Sequence, residues 1–164
     1  MTNRTQPDLS RRLLSMLLLC SGIATLTAFS GAGSLSPAVA QSASPMRWGH
    51  DLRQSLDLAR SSNKLILVDV YTDWCHWCKE LDKQVYSDPQ VASYLNSNFV
   101  CVKVNADDPT LGTWVKAKYD VSGFPAIIML KDKETVVGRI GGFMPKEQFV
   151  GQVRMFQAQA QQTH

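Results

Sequence analysis

Cys75 and Cys78 stand three positions apart in the run "VDVYTDWCHWCKELDKQ", Val68 to Gln84, with His76 and Trp77 between them. Two thiols at this spacing can form a disulfide, bind half of a metal site, or sit as inert buried groups. A disulfide needs Cα atoms about 5–6 Å apart, and positions i and i+3 in the first turn of a helix meet that need. The unpaired N–H groups and dipole of a helix start also favour a thiolate. Cys75, at the start of the turn, is then the nucleophile, and Cys78, one turn inside and more deeply buried, resolves the mixed disulfide. A zinc site usually needs four ligands. The chain has no second Cys-x-x-Cys, and His50, His76 and His164 are scattered, so a metal is not expected. Two inert thiols remain the other reading of the pair alone.

The elements around the pair decide where it can sit. "LILVDVY" (Leu65–Tyr71) is a continuous apolar run of strand length with Asp69 inside it, and it leads straight into the cysteines. Before it, "MRWGHDLRQSLDLARSSNK" sets Trp48, Leu52, Leu56 and Ala59 at helical spacing from Met46 onward. After it, Cys78, Leu81 and Val85 continue a helix. Asp88 and Pro89 then form an N-cap and first helical position. "FVCVKVNAD" (Phe99–Asp107) predicts a second strand, and Leu111 to Lys118 a helix weakened by Gly112. "PAIIML" (Pro125–Leu130) and "TVVGRI" (Thr135–Ile140) predict a hairpin, and Pro145 opens a last helix carrying Phe149, Val153 and Phe156. The order α-β-α-α-β-α-β-β-α implies an α/β domain: a central mixed sheet of about four strands with helices on both faces. Trp48, Trp114 and Phe149 read as core.

Together these runs resemble the thioredoxin superfamily, from about Lys64 to Phe149. The carriers are "LILVDVYTDWCHWCK", "VKVNAD" (Val102–Asp107), "YDVSGFPAIIML" (Tyr119–Leu130) and "GRIGGFMPKEQF". Within it, "DWCHWCKELDKQVYSDPQVASYL" is similar to the C-terminal periplasmic domain of DsbD, a reductase branch, with its W-C-x-x-C-K-x-x-E/D and S-D-P-x-V. The tetrapeptide also resembles an uncharacterised thioredoxin-like family that carries Cys-His-Trp-Cys. The resemblance implies a thioredoxin fold and a redox disulfide between Cys75 and Cys78. It implies that Asp69 exchanges a proton with Cys78 and that Lys103 pairs with this acid. It makes Pro125 a cis-proline, with Phe124 bonding extended substrate chains through its backbone. Trp74 and Trp77 are expected on an exposed docking surface. His76, beside the first cysteine rather than the second, tunes the potential. Cys101, between Val100 and Val102, is expected to be a buried small hydrophobe.

The first forty residues read as an export signal. Arg4, Arg11 and Arg12 precede an uncharged apolar run (Leu13–Phe29), and Ala38-Val39-Ala40 ends it as a cleavage site. The expected organisation is a cleaved leader over 1–40, a polar linker over 41–46 and a thioredoxin-like domain over 47–164. An uncleaved membrane anchor is the runner-up, and Arg11–Arg12 admits a twin-arginine route. Leu19 before Cys20 argues against lipidation. The whole chain carries a formal net charge of +3. Loss of the leader's three arginines and Asp8 leaves it near neutral, so no basic patch points to nucleic acid.

The function expected is an exported thiol–disulfide oxidoreductase that reduces disulfides of periplasmic or lumenal proteins, acting as a monomer. With no nucleotide or flavin fingerprint, no cofactor is expected. Electrons would come from a membrane electron-relay partner. The rival readings are a client-binding chaperone module on the same fold and a disulfide oxidase.

Overall fold

The computed structural model describes residues 44–131 and 134–162. The expected leader, its cleavage site and most of the linker lie outside them. Among the described residues eleven segments follow in order: β1 (Trp48–Gly49), α1 (Leu52–Ser62), β2 (Leu65–Tyr71), α2 (His76–Leu81), a π-helical turn (Asp82–Tyr86), α3 (Pro89–Asn98), β3 (Phe99–Asn105), α4 (Leu111–Lys118), β4 (Ala126–Lys131), β5 (Thr135–Gly141) and α5 (Lys146–Gln162). They build one five-stranded sheet in the order β1-β3-β2-β4-β5. β2 pairs parallel with β3 and antiparallel with β4, and β4–β5 is an antiparallel hairpin. The mixed sheet is as the sequence predicts, with one strand more.

The extra strand corrects the reading of the first helix. Trp48 and Gly49 do not enter α1; they pair parallel with Cys101 and Val102. The helix begins only at Leu52, because the Asp51 carboxylate caps it by accepting the Gln54 N–H. It ends at Asn63, whose left-handed backbone closes the last turn. The helical spacing of Trp48 is a coincidence that the cap at Asp51 overrides.

Alternation along the strands sorts the core into two layers. Ile66, Val68, Val70, Val102, Val104, Ile128 and Leu130 pack under α1 and α4. Leu67, Phe99, Cys101, Ile127, Met129 and Ile140 pack on the other side with Leu81, Val91, Leu95 and Phe149. Phe149 is core as expected, Trp48 is half-buried, and Trp114 is exposed, with the Lys118 ammonium over its ring. Gly112 has a structural reason. A Cβ there would lie 2.3 Å from the Asn105 carbonyl oxygen, so only glycine lets α4 approach the end of β3 so closely. The feature that weakens α4 in sequence terms is what seats it.

Candidate active site

β2, the central strand, delivers the cysteines just beyond its C-terminal end. Thr72 O accepts the Cys75 N–H at 3.2 Å, turning the chain. Cys75 is then the N-cap of α2, with extended backbone. Its Sγ accepts the Cys78 backbone N–H at 3.1 Å, so one orphan donor of the helix start points at that sulfur. Cys75 and Cys78 form a disulfide with Cα atoms 5.3 Å apart. Burial does not separate them as expected: 6% of Cys75 and 4% of Cys78 is exposed. Their difference lies in the backbone, since Cys75 caps the helix and Cys78 lies inside it.

Two tryptophans flank the pair in the open, Trp74 at 69% and Trp77 at 54% exposure. Neither is loose. The Trp74 indole N–H donates to Asp107 Oδ2 at 2.9 Å, and its ring meets Phe124 edge-on at 6.0 Å. Trp77 lies between His76 at 5.3 Å and Phe143 at 5.5 Å. The Phe124–Pro125 peptide is cis, and it immediately precedes Ala126, the partner of Val70 near the end of β2. Phe124 and Pro125 thus lie at the end of the sheet where β2 runs into the cysteines.

On the sheet face that carries the second core layer lies a charged centre. Asp69 is the register partner of Lys103 across β2–β3, so both side chains leave the sheet on one face. The Lys103 Nζ is 3.1 Å from Asp69 Oδ2. It also donates to both oxygens of Asp82, at 2.7 and 3.0 Å. Asp69 Oδ1 has no hydrogen-bond partner among the described residues. Burial dominates its electrostatics and lifts its pKa from 3.8 to about 6, against the opposing pull of the Lys103 charge. For Lys103, burial works against the charged form. The facing carboxylates of Asp69 and Asp82 outweigh it and hold the ammonium above its ordinary value.

Asp82 is the site residue that sequence reasoning missed. It ends the W-C-x-x-C-K-x-x-E/D run, which is the signal that could have found it. Its position depends on the π-helical turn that opens at Asp82 and closes at Tyr86, and helical spacing alone does not announce such a turn. Cys101 is a buried free thiol whose pKa burial pushes up to about 12. Among the described residues no cluster of side chains could hold a metal ion, and no helix is long and apolar enough to cross a membrane.

A family model described as Thioredox_DsbH, a protein of unknown function (DUF255), matches residues 32–162. The thiol:disulfide interchange protein DsbD of Pseudoalteromonas atlantica is 33% identical over 107 residues, 63% of this chain and 18% of that protein. The chain therefore spans less than a fifth of that curated relative's length. The solution structure of a thioredoxin from Thermus thermophilus superposes with a TM-score of 0.62 at 28% identity, over 68% of this chain and 87% of that one. The C-terminal domain of Neisseria meningitidis DsbD, in its oxidised form, gives 0.56 at 22% identity, over 66% and 98%. The architecture is the thioredoxin fold.

Proposed function

This chain belongs to the Thioredox_DsbH (DUF255) family, and on that premise we propose that it is a thiol–disulfide oxidoreductase that reduces disulfides of exported proteins. The observation that carries this reading is the Cys75–Cys78 disulfide at the start of α2, with a buried acid, raised to a pKa of about 6, in the strand that leads into it. In the reduced protein, the Cys75 thiolate attacks one sulfur of a client disulfide. That S–S bond breaks, the first client sulfur leaves as a thiolate that takes a proton, and a mixed disulfide forms. Cys78 gives its proton to ionised Asp69 and attacks Cys75 Sγ. The second client thiolate leaves and takes up a proton. The client gains two electrons, and the protein ends with the Cys75–Cys78 bond described above. A dithiol on a membrane electron-relay partner returns the two electrons.

A pKa of about 6 suits the task given to Asp69, which must accept and return a proton near pH 7. Trp74, Trp77 and Phe124 supply an apolar rim that fits a protein client, and Phe124 beside cis-Pro125 offers backbone to an extended chain. His76, next to the nucleophile, adjusts the potential. The leader read over residues 1–40, with a linker over 41–46 and a domain over 47–164, supports a site of action outside the cytoplasm, where disulfides persist.

The test is equilibration of the Cys75–Cys78 pair with glutathione, together with insulin reduction driven by dithiothreitol. A potential well below about −200 mV with turnover supports a reductase, and one near about −120 mV turns the direction round to an oxidase. Cys75→Ser should abolish turnover, and Cys78→Ser should accumulate the mixed disulfide. The exposed tryptophans also fit a client-holding module. Absence of turnover in the wild type, with client binding kept in Cys75→Ser, would favour that second reading.

A further inference from the structure

The Lys103 ammonium is enclosed by rings as well as by carboxylates. Tyr71 lies 4.8 Å away by ring centroid, Trp48 5.2 Å and Tyr86 5.7 Å. Tyr71 ends β2, and Tyr86 closes the π-helical turn that also supplies Asp82. Trp48 comes from the two-residue strand β1, outside the run that carries the redox motif. Its register partner is Cys101, which puts its side chain on the face of Asp69 and Lys103 and one diagonal step from Lys103. The indole meets Tyr86 edge-on at 4.9 Å. Tyr86 in turn meets Phe149 at 5.6 Å, so the enclosure is tied into the core.

The arm that bears Trp48 is fastened from one side chain. Asn96 in α3 accepts the Arg47 N–H at 2.9 Å and donates to the Pro45 carbonyl at 3.0 Å. A strand of two residues has little pairing of its own to hold it. Asn96 supplies two further hydrogen bonds just upstream and fixes where the indole lands.

We propose that Trp48 is a positioning residue for the thiol chemistry: delivered by β1 and fastened by Asn96, its indole closes the enclosure that keeps the Lys103 ammonium between Asp69 and Asp82 and keeps water from Asp69. The inference rests on the oxidoreductase reading for its functional meaning, while the enclosure itself stands on geometry. Its physical basis is that a cation over a desolvated ring face is held more firmly than one in water. Removing the ring loosens Lys103, which alone would raise the Asp69 pKa, and admits solvent to the carboxylate, which lowers it; burial is the larger of the two influences on Asp69, so the net shift is downward.

Among the described residues four titratable groups act on Asp69 in this measurement. Lys103 faces Asp69 from β3 and Asp82 from the π-helical turn. Tyr86 and Cys101 also couple to it, but burial holds both protonated well above neutral pH, and Lys103 is held charged. In the disulfide form Cys75 and Cys78 do not titrate.

The experiment is a carbon-13 NMR titration of the Asp69 side-chain carboxyl in the full chain, disulfide form, for wild type, Trp48→Ala, Trp48→Phe and Asn96→Ala. Trp48→Ala should move the Asp69 midpoint down by about one pH unit, Trp48→Phe should restore most of it, and Asn96→Ala should move it the same way by less. The pH profile of mixed-disulfide resolution should shift in parallel. Asn96→Ala leaves the enclosure's own side chains in place, so it still answers if Trp48→Ala does not fold. An Asp69 midpoint that does not move in folded Trp48→Ala or in Asn96→Ala overturns the inference, whatever the turnover. A shifted midpoint in a protein that never reduces insulin keeps the placement of Trp48 and overturns the reductase reading instead.

Discussion

Asp69 and Asp88 are both aspartates in contact with one lysine, and the surroundings give them opposite character. Asp69 lies 3.1 Å from Lys103 in the core, and burial raises its pKa to about 6. Asp88 lies 2.9 Å from Lys146 at the surface. The hydrogen bond from Lys146, helped by the Val91 and Gln90 N–H groups, lowers its pKa below 3.8. A lysine neighbour alone does not fix the sign. At Asp88 the donors stabilise the charge by more than its partial desolvation costs. At Asp69 desolvation exceeds what one shared ammonium returns. The first arrangement serves the fold, because it ends one element and begins another. The second works against the fold at neutral pH and is the one that chemistry can use.

The sharpest way to break the comparison is Asp69→Asn. Removing a positioned acid–base group should slow mixed-disulfide resolution by about a hundredfold at pH 7, read from single-turnover kinetics. Stability should change in the opposite sense. The folded protein binds the Asp69 proton more tightly than the unfolded chain, so this residue's contribution is greatest below pH 3.8 and is lost as pH rises through about 6. Asp69→Asn should therefore stabilise the disulfide form by about 2–3 kcal/mol at pH 8, at 1.36 kcal/mol per pKa unit, and by almost nothing at pH 4. Denaturant melts at the two pH values decide it. Equal or lower stability at pH 8 would mean that Lys103 already satisfies the carboxylate.

Lys103→Met tests the other half of the pair and should cost stability. Taking one partner from a buried ion pair leaves an uncompensated charge, an effect of about 3 kcal/mol. The loss should be larger at pH 8 than at pH 4, where Asp69 is already protonated. The double variant Asp69→Asn/Lys103→Met should recover part of it, and urea melts of the three proteins form the cycle.

The same contrast explains what was legible in the sequence. Asp88 and Pro89 announce a helix start through local chemistry, and α3 begins there. The apolar run of β2 marks Asp69 as an anomaly, since a carboxylate among Leu67, Val68 and Val70 has no local reason to be there. Its lysine came from resemblance, and the register of β2 on β3 makes the contact. Asp82 and Trp48 were not legible in this way. Asp82 depends on a π-helical turn, and Trp48 on a two-residue strand that helical spacing disguised as the start of α1. Both reach Lys103 through non-local geometry, and neither residue type is unusual at its position. Trp114 misled for a simpler reason: an apolar ring at helical spacing is covered only if something packs over it, and among the described contacts its upper face carries the Lys118 ammonium.

The smallest effect expected is at Asp88, and its pattern completes the comparison. Asp88→Ala removes the acceptor for the Gln90 and Val91 N–H groups and the partner of Lys146. The first turn of α3 then relies on water for two donors, and Pro89 still fixes the entry of the chain. The melting temperature should fall by a few degrees at pH 7. Because the folded-state pKa of Asp88 is depressed, its stabilisation is present above 3.8 and fades as pH falls through the lower folded value. Wild type and Asp88→Ala should therefore converge toward acid, where wild type and Asp69→Asn also converge but from the other side. Insulin reduction should be unchanged, since the partners of Asp88 are the Gln90 and Val91 N–H groups and Lys146, none of them a group of the thiol site. A turnover defect in Asp88→Ala of the size expected for Asp69→Asn would show that the cap is coupled to the site, through Lys146 and the Phe143–Trp77 contact that precedes it in the chain.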